Sequence, residues 1–275
     1  MDAKQDDLLV ADAIAAAGSE DRIGRLALVV SATRTRLFEL YVFVVSLAIG
    51  AVVLVYLRWT REPRQVRTFL RIWSQAFIYG ARYVMGVGYR IEGLENIPAQ
   101  PVLFVGNHQS YWESIAMTAI IPHINVVTKR QAMAIPVFGW GLRYAPMTPI
   151  DRDAPGQNIR RMVRDGRTCM AEGRSMLIFP EGRRVTPGKH RKFSRGFETL
   201  YSACDAPVVP FVTDAGLHWP VGFTPKRPGV VTLRFLPPIS AGLDPAIFAR
   251  KTERLLNEEK DRLLEESQRR RTMRV

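Results

Sequence analysis

One histidine has neighbours whose types and spacing could support acid–base chemistry. His108 lies in the segment Gly-Asn-His-Gln-Ser-Tyr-Trp-Glu (residues 106–113), between an apolar run and a helical pattern. The imidazole of histidine titrates at a pKa of about 6.5, which suits proton transfer at neutral pH. A carboxylate that accepts from the other ring nitrogen would fix the tautomer and stabilise the imidazolium. Glu113 is the next carboxylate along the chain, so the pair predicts a general base and its orienting acid, with a substrate hydroxyl as nucleophile.

The separation of five residues between His108 and Glu113 is poor within a single helix. It works if His108 lies in a loop and Glu113 in the first helical turn. Glu113 also has a second explanation, because Ser110-x-x-Glu113 is the pattern of a capping box that closes a helix N-terminus. The residues alone leave the catalytic and the capping interpretations open.

The elements that must position this segment alternate between short apolar runs and helical patterns from residue 93 onward. This alternation predicts an α/β domain whose central sheet is mostly parallel or mixed and is flanked by helices. Ligand sites of such sheets lie beyond the carboxyl ends of strands, which suits a catalytic loop after residue 105. The predicted strands cover residues 102–105, 125–128, 175–179, 208–213 and 230–236, and the predicted helices cover residues 111–121, 158–172, 194–204 and 245–268.

An apolar run without charge covers residues 40–57 and is as long as a spanning helix requires, roughly 17–25 residues. Residues 65–90 mix aromatic residues with arginines, which is typical of an interfacial amphipathic helix or of one packed on a domain. We expect membrane-anchoring helices over residues 34–90, a weakly structured tail over residues 1–33, and a catalytic domain over residues 91–275. Arginines flank the apolar run on both sides, so it could span the bilayer or dip into one leaflet. A buried helix of a soluble core is the third interpretation.

The composition of the 275-residue chain indicates an anionic partner. The 39 Lys and Arg exceed the 26 Asp and Glu and give a formal net charge of +13, which fits nucleic acid or an anionic lipid surface. No nucleic-acid motif accompanies the charge, so the apolar run favours lipid and leaves a non-enzymatic basic binding protein as a remote alternative. Cys169 and Cys204 lie in no zinc or disulfide pattern, which predicts packed thiols in a reducing compartment.

Four segments, in order, resemble motifs of the glycerolipid acyltransferase family, which includes the 1-acyl-glycerol-3-phosphate acyltransferases. Residues 107–113 are similar to its His-x4-Asp/Glu block, and residues 129–130 with 135–140 (Ile-Pro-Val-Phe-Gly-Trp) are similar to its second block. Residues 179–184 (Phe-Pro-Glu-Gly-Arg-Arg) resemble its Phe-Pro-Glu-Gly-Thr-Arg block, and residues 208–210 resemble its Val-Pro block. The resemblance covers about residues 92–240, and an N-terminal hydrophobic helix is also usual in the family.

The resemblance implies that His108 takes the proton from the acceptor hydroxyl and that Glu113 orients it. It also implies that Arg184 or Arg183 binds the substrate phosphate, for which the guanidinium fork is well suited. Arg183 stands where the family has Thr, so the sequence does not decide between the two arginines. The remaining residues that the resemblance assigns to substrate binding or to shaping its loop are Glu181, Gly182, Lys129, Arg130 and Asn107. His123, His190 and His218 are expected to be structural or exposed.

The resemblance further implies a reaction and its setting. An acyl group would pass from acyl-CoA or acyl-carrier-protein to the free sn-2 hydroxyl of 1-acyl-glycerol-3-phosphate, giving phosphatidic acid. A lyso-aminolipid or glycerol-3-phosphate is the alternative acceptor. The expected partners are these substrates, membrane lipids and acyl-carrier-protein, with no nucleic acid, no metal and no prosthetic group. Because thioester donors are made inside cells, we expect the bacterial inner membrane, with the catalytic domain on its cytoplasmic face.

Overall fold

A seven-stranded sheet forms the centre of the protein. The computed structural model describes residues 3–60, 65–134, 147–151, 154–194, 196–222 and 225–273. Its strands are β1 (Val87–Glu92), β2 (Leu103–Gly106), β3 (Asn125–Lys129), β4 (Thr148–Ile150), β5 (Met176–Ile178), β6 (Val208–Thr213) and β7 (Gly229–Phe235). They lie in the order β1-β7-β6-β2-β5-β3-β4. The strands from β6 to β4 are parallel, β7 is antiparallel to β6, and β1 is parallel to β7. The prediction of a mostly parallel or mixed sheet is confirmed.

Helices cover both faces of this sheet. One core contains side chains of the first three helices, including Phe38, Phe77 and Met117. The other contains side chains of three later helices, including Met162 and Leu200, so the sheet lies between two helical layers. The helices are α1 (Ala3–Thr60), α2 (Val66–Tyr83), α3 (Trp112–Ile120), α4 (Pro155–Ala171), α5 (Gly196–Cys204), α6 (Ala215–His218) and α7 (Pro245–Thr272), with short 3₁₀ turns at Leu94–Asn96 and Arg130–Ala134.

Two strands and the N-terminal segment differ from the sequence prediction. β1 and β4 were not predicted, and the predicted domain boundary at residue 91 falls inside β1. β4 has three residues with a central proline and lies at the sheet edge, where a missing donor is tolerated. Residues 3–33 continue α1 instead of forming a weakly structured tail. Their many Ala and Leu residues favour helix.

The apolar helix α1 packs side by side with α2. The Tyr41 hydroxyl donates to the carbonyl of Ala76 at 2.9 Å, and the Trp73 indole N–H donates to the Ser46 hydroxyl at 2.9 Å. A Cβ on residue 80 of α2 would lie 2.3 Å from the Tyr41 ring, so a glycine is needed for this close approach. The two helices therefore form an antiparallel hairpin against the domain.

The face of α1 that points away from α2 is apolar and exposed, with Leu40, Phe43 and Leu54 all more than half exposed. The stretch Val29–Thr60 is long and apolar enough to cross a membrane. An exposed apolar surface of this length marks a membrane or partner contact. The interpretation of residues 40–57 as a buried core helix is therefore wrong, and the helix indicates membrane association.

The helix α2 packs on the domain and differs from a purely interfacial amphipathic helix. Its buried face includes Trp73 and Phe77 and packs into the core below the sheet. Arg67 lies 3.5 Å from Glu172, and Arg71 donates to the carbonyl of Ala119 at 3.2 Å. These two arginines therefore contact the domain, while another stripe of α2, with Ile72, Tyr79 and Tyr83, stays exposed.

Candidate active site

The loop between β2 and α3 carries the predicted base at the carboxyl edge of the parallel strands. His108 Nδ1 lies 2.8 Å from Glu113 Oε1, with Glu113 in the first turn of α3. The loop leaves the sheet at Gly106, where a Cβ would lie 2.3 Å from the ring of Phe211. The predicted geometry of a loop histidine and a helical acid is thus present.

Glu113 both caps the helix and orients the histidine. Its Oε1 also accepts from the backbone amides of Gln109 at 2.8 Å and Ser110 at 2.7 Å. The Ser110 hydroxyl accepts in turn from the amide of Trp112 at 3.2 Å. The Glu113 side chain is 0% exposed. The capping and catalytic interpretations therefore apply to the same carboxylate oxygen. Two main-chain donors fix the position of this oxygen, which also contacts the imidazole ring.

The ring of His108 is held from a second direction. It stacks on Phe179, which follows β5, with centroids 4.3 Å apart and planes 18° apart. The His108 side chain is 19% exposed. Because Nδ1 faces Glu113, the exposed part of the ring leaves Nε2 to accept a proton from a bound hydroxyl.

The main chain of His108 is clamped on both sides by the loop after β5. Its amide donates to Glu181 Oε2 at 2.8 Å, and its carbonyl accepts from the amide of Val185 at 2.6 Å. The other oxygen of Glu181 accepts from Lys260 Nζ of α7 at 3.2 Å. Burial raises the pKa of Glu181, while the His108 amide and the Lys260 ammonium oppose that rise. Glu181 therefore supports the base from beneath and does not face the opening.

The two candidate phosphate-binding arginines leave this same loop as exposed side chains. The turn that presents them depends on Gly182, whose φ of +69° is unfavourable for other residues. Arg184 directly precedes Val185, so it is tied to the His108 carbonyl one residue away.

The surroundings distinguish the two arginines. Burial raises the pKa of Tyr111, and the charge of Arg184 opposes that rise. Burial lowers the pKa of Lys226, and Arg184 lowers it further. Arg184 thus contributes to a cationic region beside the catalytic loop, since its charge acts on both Tyr111 and Lys226.

The remaining predicted residues fall in different places. Asn107 is buried, and its amide group exchanges two hydrogen bonds with the main chain of Thr213, at 2.9 and 2.8 Å. It therefore joins β2 to β6 and does not face the opening. Lys129 ends β3 at the same sheet edge as the catalytic loop, and Arg130 lies 3.7 Å from Asp151. Residues 135–140 of the second block lie outside the described residues.

An aromatic cluster connects the membrane helix to the catalytic loop. Trp219 lies within 6 Å, centroid to centroid, of Phe38 of α1, Phe77 of α2 and Tyr111. Tyr111 immediately precedes α3 and is partly exposed. Lys226 Nζ lies 5.7 Å from the Trp219 ring centroid. A mostly buried aromatic cluster therefore links α1 and α2 to the catalytic loop, with Tyr111 as its exposed member and Lys226 beside it.

The other histidines lie outside this arrangement. His190 pairs with Asp261 of α7 at 2.9 Å on the surface, a partner that sequence spacing did not suggest. His218 is buried, its Nδ1 faces the carbonyl of Arg227 at 3.2 Å, and burial lowers its pKa. His123 lies at the opposite edge of the sheet, before β3. The described part of the chain has no group of three His, Cys, Asp or Glu side chains that could hold a metal.

Sequence reasoning missed three residues that support the site: Phe179, Trp219 and Lys260. Two of them left a recognisable signal. Phe179 opens the Phe-Pro-Glu-Gly-Arg-Arg block, although no role was assigned to it. Lys260 falls on the buried stripe of α7, between Leu256 and Leu263, where the helical period calls for an apolar residue.

Comparison with known proteins agrees with this geometry. A family model described as Acyltransferase matches residues 88–214, which include His108, Glu113 and both arginines. The 1-acyl-sn-glycerol-3-phosphate acyltransferase of Pseudomonas aeruginosa is 34% identical over 189 residues, covering 68% of this chain and 74% of that protein. The mouse 1-acyl-sn-glycerol-3-phosphate acyltransferase alpha is 29% identical over 173 residues, covering 60% of each chain.

A solved structure shows the same fold. The crystal structure of the 1-acyl-sn-glycerophosphate acyltransferase PlsC from Thermotoga maritima superimposes with a TM-score of 0.67 at 23% identity, over 86% of this chain and 98% of that one. The sequence relatives support a family assignment, which the shared fold alone does not. The chain belongs to the 1-acyl-sn-glycerol-3-phosphate acyltransferase family.

Proposed function

We propose that this protein transfers a fatty acyl group from a thioester donor to the sn-2 hydroxyl of 1-acyl-glycerol-3-phosphate, giving phosphatidic acid. The observation that carries the proposal is the 2.8 Å contact between His108 and the buried Glu113, at a site bordered by Arg184. Relatives named for this reaction support the acceptor.

In the proposed mechanism, His108 Nε2 accepts the proton of the acceptor hydroxyl while Glu113 stabilises the imidazolium through Nδ1. The hydroxyl oxygen forms a bond to the thioester carbonyl carbon and gives a tetrahedral oxyanion. Collapse of this intermediate breaks the carbon–sulfur bond, and the imidazolium returns its proton to the leaving thiolate. The base is thus regenerated, and the scheme uses no metal or prosthetic group.

Arg184 binds the acceptor phosphate in this proposal, and Lys226 adds positive charge beside it. The arginine is one residue from the clamp on the His108 carbonyl, so a phosphate held there has a fixed position relative to the base. Holding two reactants in a near-attack geometry supplies a large share of the rate in such reactions. The aromatic cluster around Trp219 packs α1 against the catalytic loop, which keeps the site beside the apolar helix.

The proposed setting is one leaflet of the bacterial inner membrane, with the domain on the cytoplasmic face. α1 contacts α2 along its apolar stretch, from Tyr41 to Tyr56, and α2 packs on the domain. An α1 that stood upright through the bilayer would carry part of the domain into the hydrocarbon. The side-by-side arrangement therefore favours a helix lying within one leaflet, and the thioester donor is made in the cytoplasm.

The test is acyl transfer by the full chain purified in detergent. Labelled long-chain acyl-CoA is supplied with 1-acyl-glycerol-3-phosphate, lyso-aminolipids or glycerol-3-phosphate, and acyl-carrier-protein thioester serves as a second donor. We expect transfer to 1-acyl-glycerol-3-phosphate that disappears in His108→Ala. The matched control is His190→Ala, because His190 also pairs with a carboxylate at 2.9 Å but lies on the surface.

Each outcome has a distinct meaning. Loss in His108→Ala with normal activity in His190→Ala supports the reaction and its base. Transfer to a different acceptor contradicts the proposed substrate but is consistent with the mechanism. Arg183 would then be the residue to test for recognition of the headgroup. Near-normal turnover by a folded His108→Ala protein would refute the mechanism.

A further inference from the structure

A lysine of the C-terminal helix lies directly behind the catalytic loop. Lys260 is 5% exposed and its Nζ lies 3.2 Å from an oxygen of Glu181, which is 2% exposed. Charged side chains are almost never this buried unless paired, and a buried pair is often no more stable than apolar residues of similar volume. Stability alone therefore gives little reason for a lysine here.

The pair is one part of a chain of contacts that ends at the base. Lys260 donates to Glu181 Oε1, and Glu181 Oε2 accepts from the main-chain amide of His108 at 2.8 Å. This amide is two bonds from the carbon that carries the imidazole. A displacement of the Glu181 carboxylate therefore moves the ring relative to Phe179 and Glu113.

α7 is fixed at this position by a second buried contact. Ser267, two turns after Lys260, donates to Asp214 Oδ2 at 2.6 Å, and Asp214 Oδ1 accepts from the amide of Thr232 at 2.7 Å. The helix is thereby tied to the end of β6 and to β7. The position of Lys260 relative to Glu181 is therefore fixed.

We propose that Lys260 is a positioning residue of the transfer reaction, whose ammonium holds the Glu181 carboxylate so that the carboxylate fixes the main chain of His108. The inference rests on the proposed function, because it assigns Lys260 a part in the same proton transfer. Lys260 contacts no substrate in this scheme and acts only through Glu181.

The titratable groups that act on Glu181 are Lys260 and His108. Burial already raises the pKa of Glu181, and Lys260 opposes the rise. Removing the lysine favours a protonated Glu181, whose hydrogen bond to the His108 amide is weaker because it lacks charge assistance. Raising the pH ionises the acid again and restores the contact.

The experiment compares Lys260→Met, Lys260→Arg, Glu181→Gln and the Glu181→Gln/Lys260→Met double variant, measuring kcat and KM between about pH 6 and 9. For Lys260→Met we expect kcat to fall by about 10- to 100-fold, as for a displacement of the base by up to about 1 Å, with little change in either KM. Part of the loss should be recovered at high pH. The control is Lys251→Met, an exposed lysine of the same helix, which should match the wild type.

The double variant separates positioning from general destabilisation. A neutral glutamine accepts from the His108 amide much as a protonated glutamate does, so Glu181→Gln/Lys260→Met should keep the low-pH activity of Lys260→Met without its recovery at high pH. Lys260→Arg should retain more activity than Lys260→Met. Wild-type kcat in Lys260→Met would overturn the inference, as would a loss in Lys260→Met that is equal at every pH or a high-pH recovery that persists in the double variant.

Failure of the proposed function is recognised separately, as absence of transfer by the wild type to every acceptor. The inference is then read from carbethoxylation of His108 by diethyl pyrocarbonate, followed at that site by mass spectrometry. A pH dependence of His108 modification that changes in Lys260→Met but not in Lys251→Met supports it. Identical profiles in the two variants and the wild type contradict it.

Discussion

Replacing Glu113 with glutamine removes one negative charge from a site that otherwise stays intact. The amide oxygen can still accept from the main-chain donors of Gln109 and Ser110, so the loop and the helix start keep their contacts. The interaction with the imidazolium that forms during proton transfer loses its charge, while the two main-chain hydrogen bonds remain as neutral contacts. The substitution therefore tests the charge of the dyad apart from its shape.

The expected loss follows from the geometry. Opposite charges whose centres are about 4 Å apart interact by about 4 kcal/mol at an effective dielectric constant of about 20. Glu113 is 0% exposed and His108 is 19% exposed, so solvent weakens the interaction only from the side of the ring. Since about 1.4 kcal/mol corresponds to tenfold in rate, kcat should fall by about 1,000-fold.

The assay is steady-state acyl transfer at saturating donor and acceptor, with folding checked by circular dichroism. Glu113→Asp is the matched control, because it keeps the charge and introduces the residue that is more frequent in the family. We expect its kcat to fall by no more than about tenfold. The reasoning is refuted if folded Glu113→Gln retains more than about a tenth of wild-type kcat. An equal loss in both variants would assign the effect to shape.

Three further predictions follow from individual side chains. Arg184→Gln should raise the KM for the phosphorylated acceptor by about 10- to 100-fold, which corresponds to the loss of a charged hydrogen bond. Arg183→Gln should change this KM little, and acceptor titrations of both variants measure the difference. Burial lowers the pKa of His218 below its ordinary 6.5, so the unfolded chain gains a proton that the folded protein does not. The free energy of unfolding should therefore fall as pH drops below about 6.5, and urea denaturation should show a smaller fall in His218→Gln. Burial raises the pKa of Cys204 to about 11, so it and the buried Cys169 should react with iodoacetamide only after denaturation, as measured by mass spectrometry.

The strands that the sequence predicted are those with continuous apolar character. β6 has the predicted bounds, and all six of its residues are buried, as a central parallel strand requires. β1 escaped prediction because only Val87 is buried and the strand includes Gly88 and Arg90, so its sequence merged with the pattern of the preceding helix. Its partner β7 lies more than 130 residues away, and such a pairing leaves no local signal.

The site divides in the same way. His108 and Glu113 are close in sequence, so their contact followed from a loop and one helical turn. The proposed functions of Glu181 and Lys260 depend on a contact between residues 79 positions apart, which no spacing reveals. The proposal of Arg184 over Arg183 likewise rests on the positions of Tyr111 and Lys226, which the sequence does not show.

The membrane helix is also a component of the folded core. Phe38 of α1 is 5% exposed and contacts both Phe77 and Trp219, so the interior of the domain is completed by a residue of the anchor. Folding of the domain and partition of α1 into lipid are therefore thermodynamically coupled, and each contributes to the free energy of the other. Cleaving the chain after the apolar run would not release an intact soluble enzyme, because the cut exposes the aromatic cluster beside the catalytic loop. The bilayer is therefore part of the environment in which the catalytic domain folds.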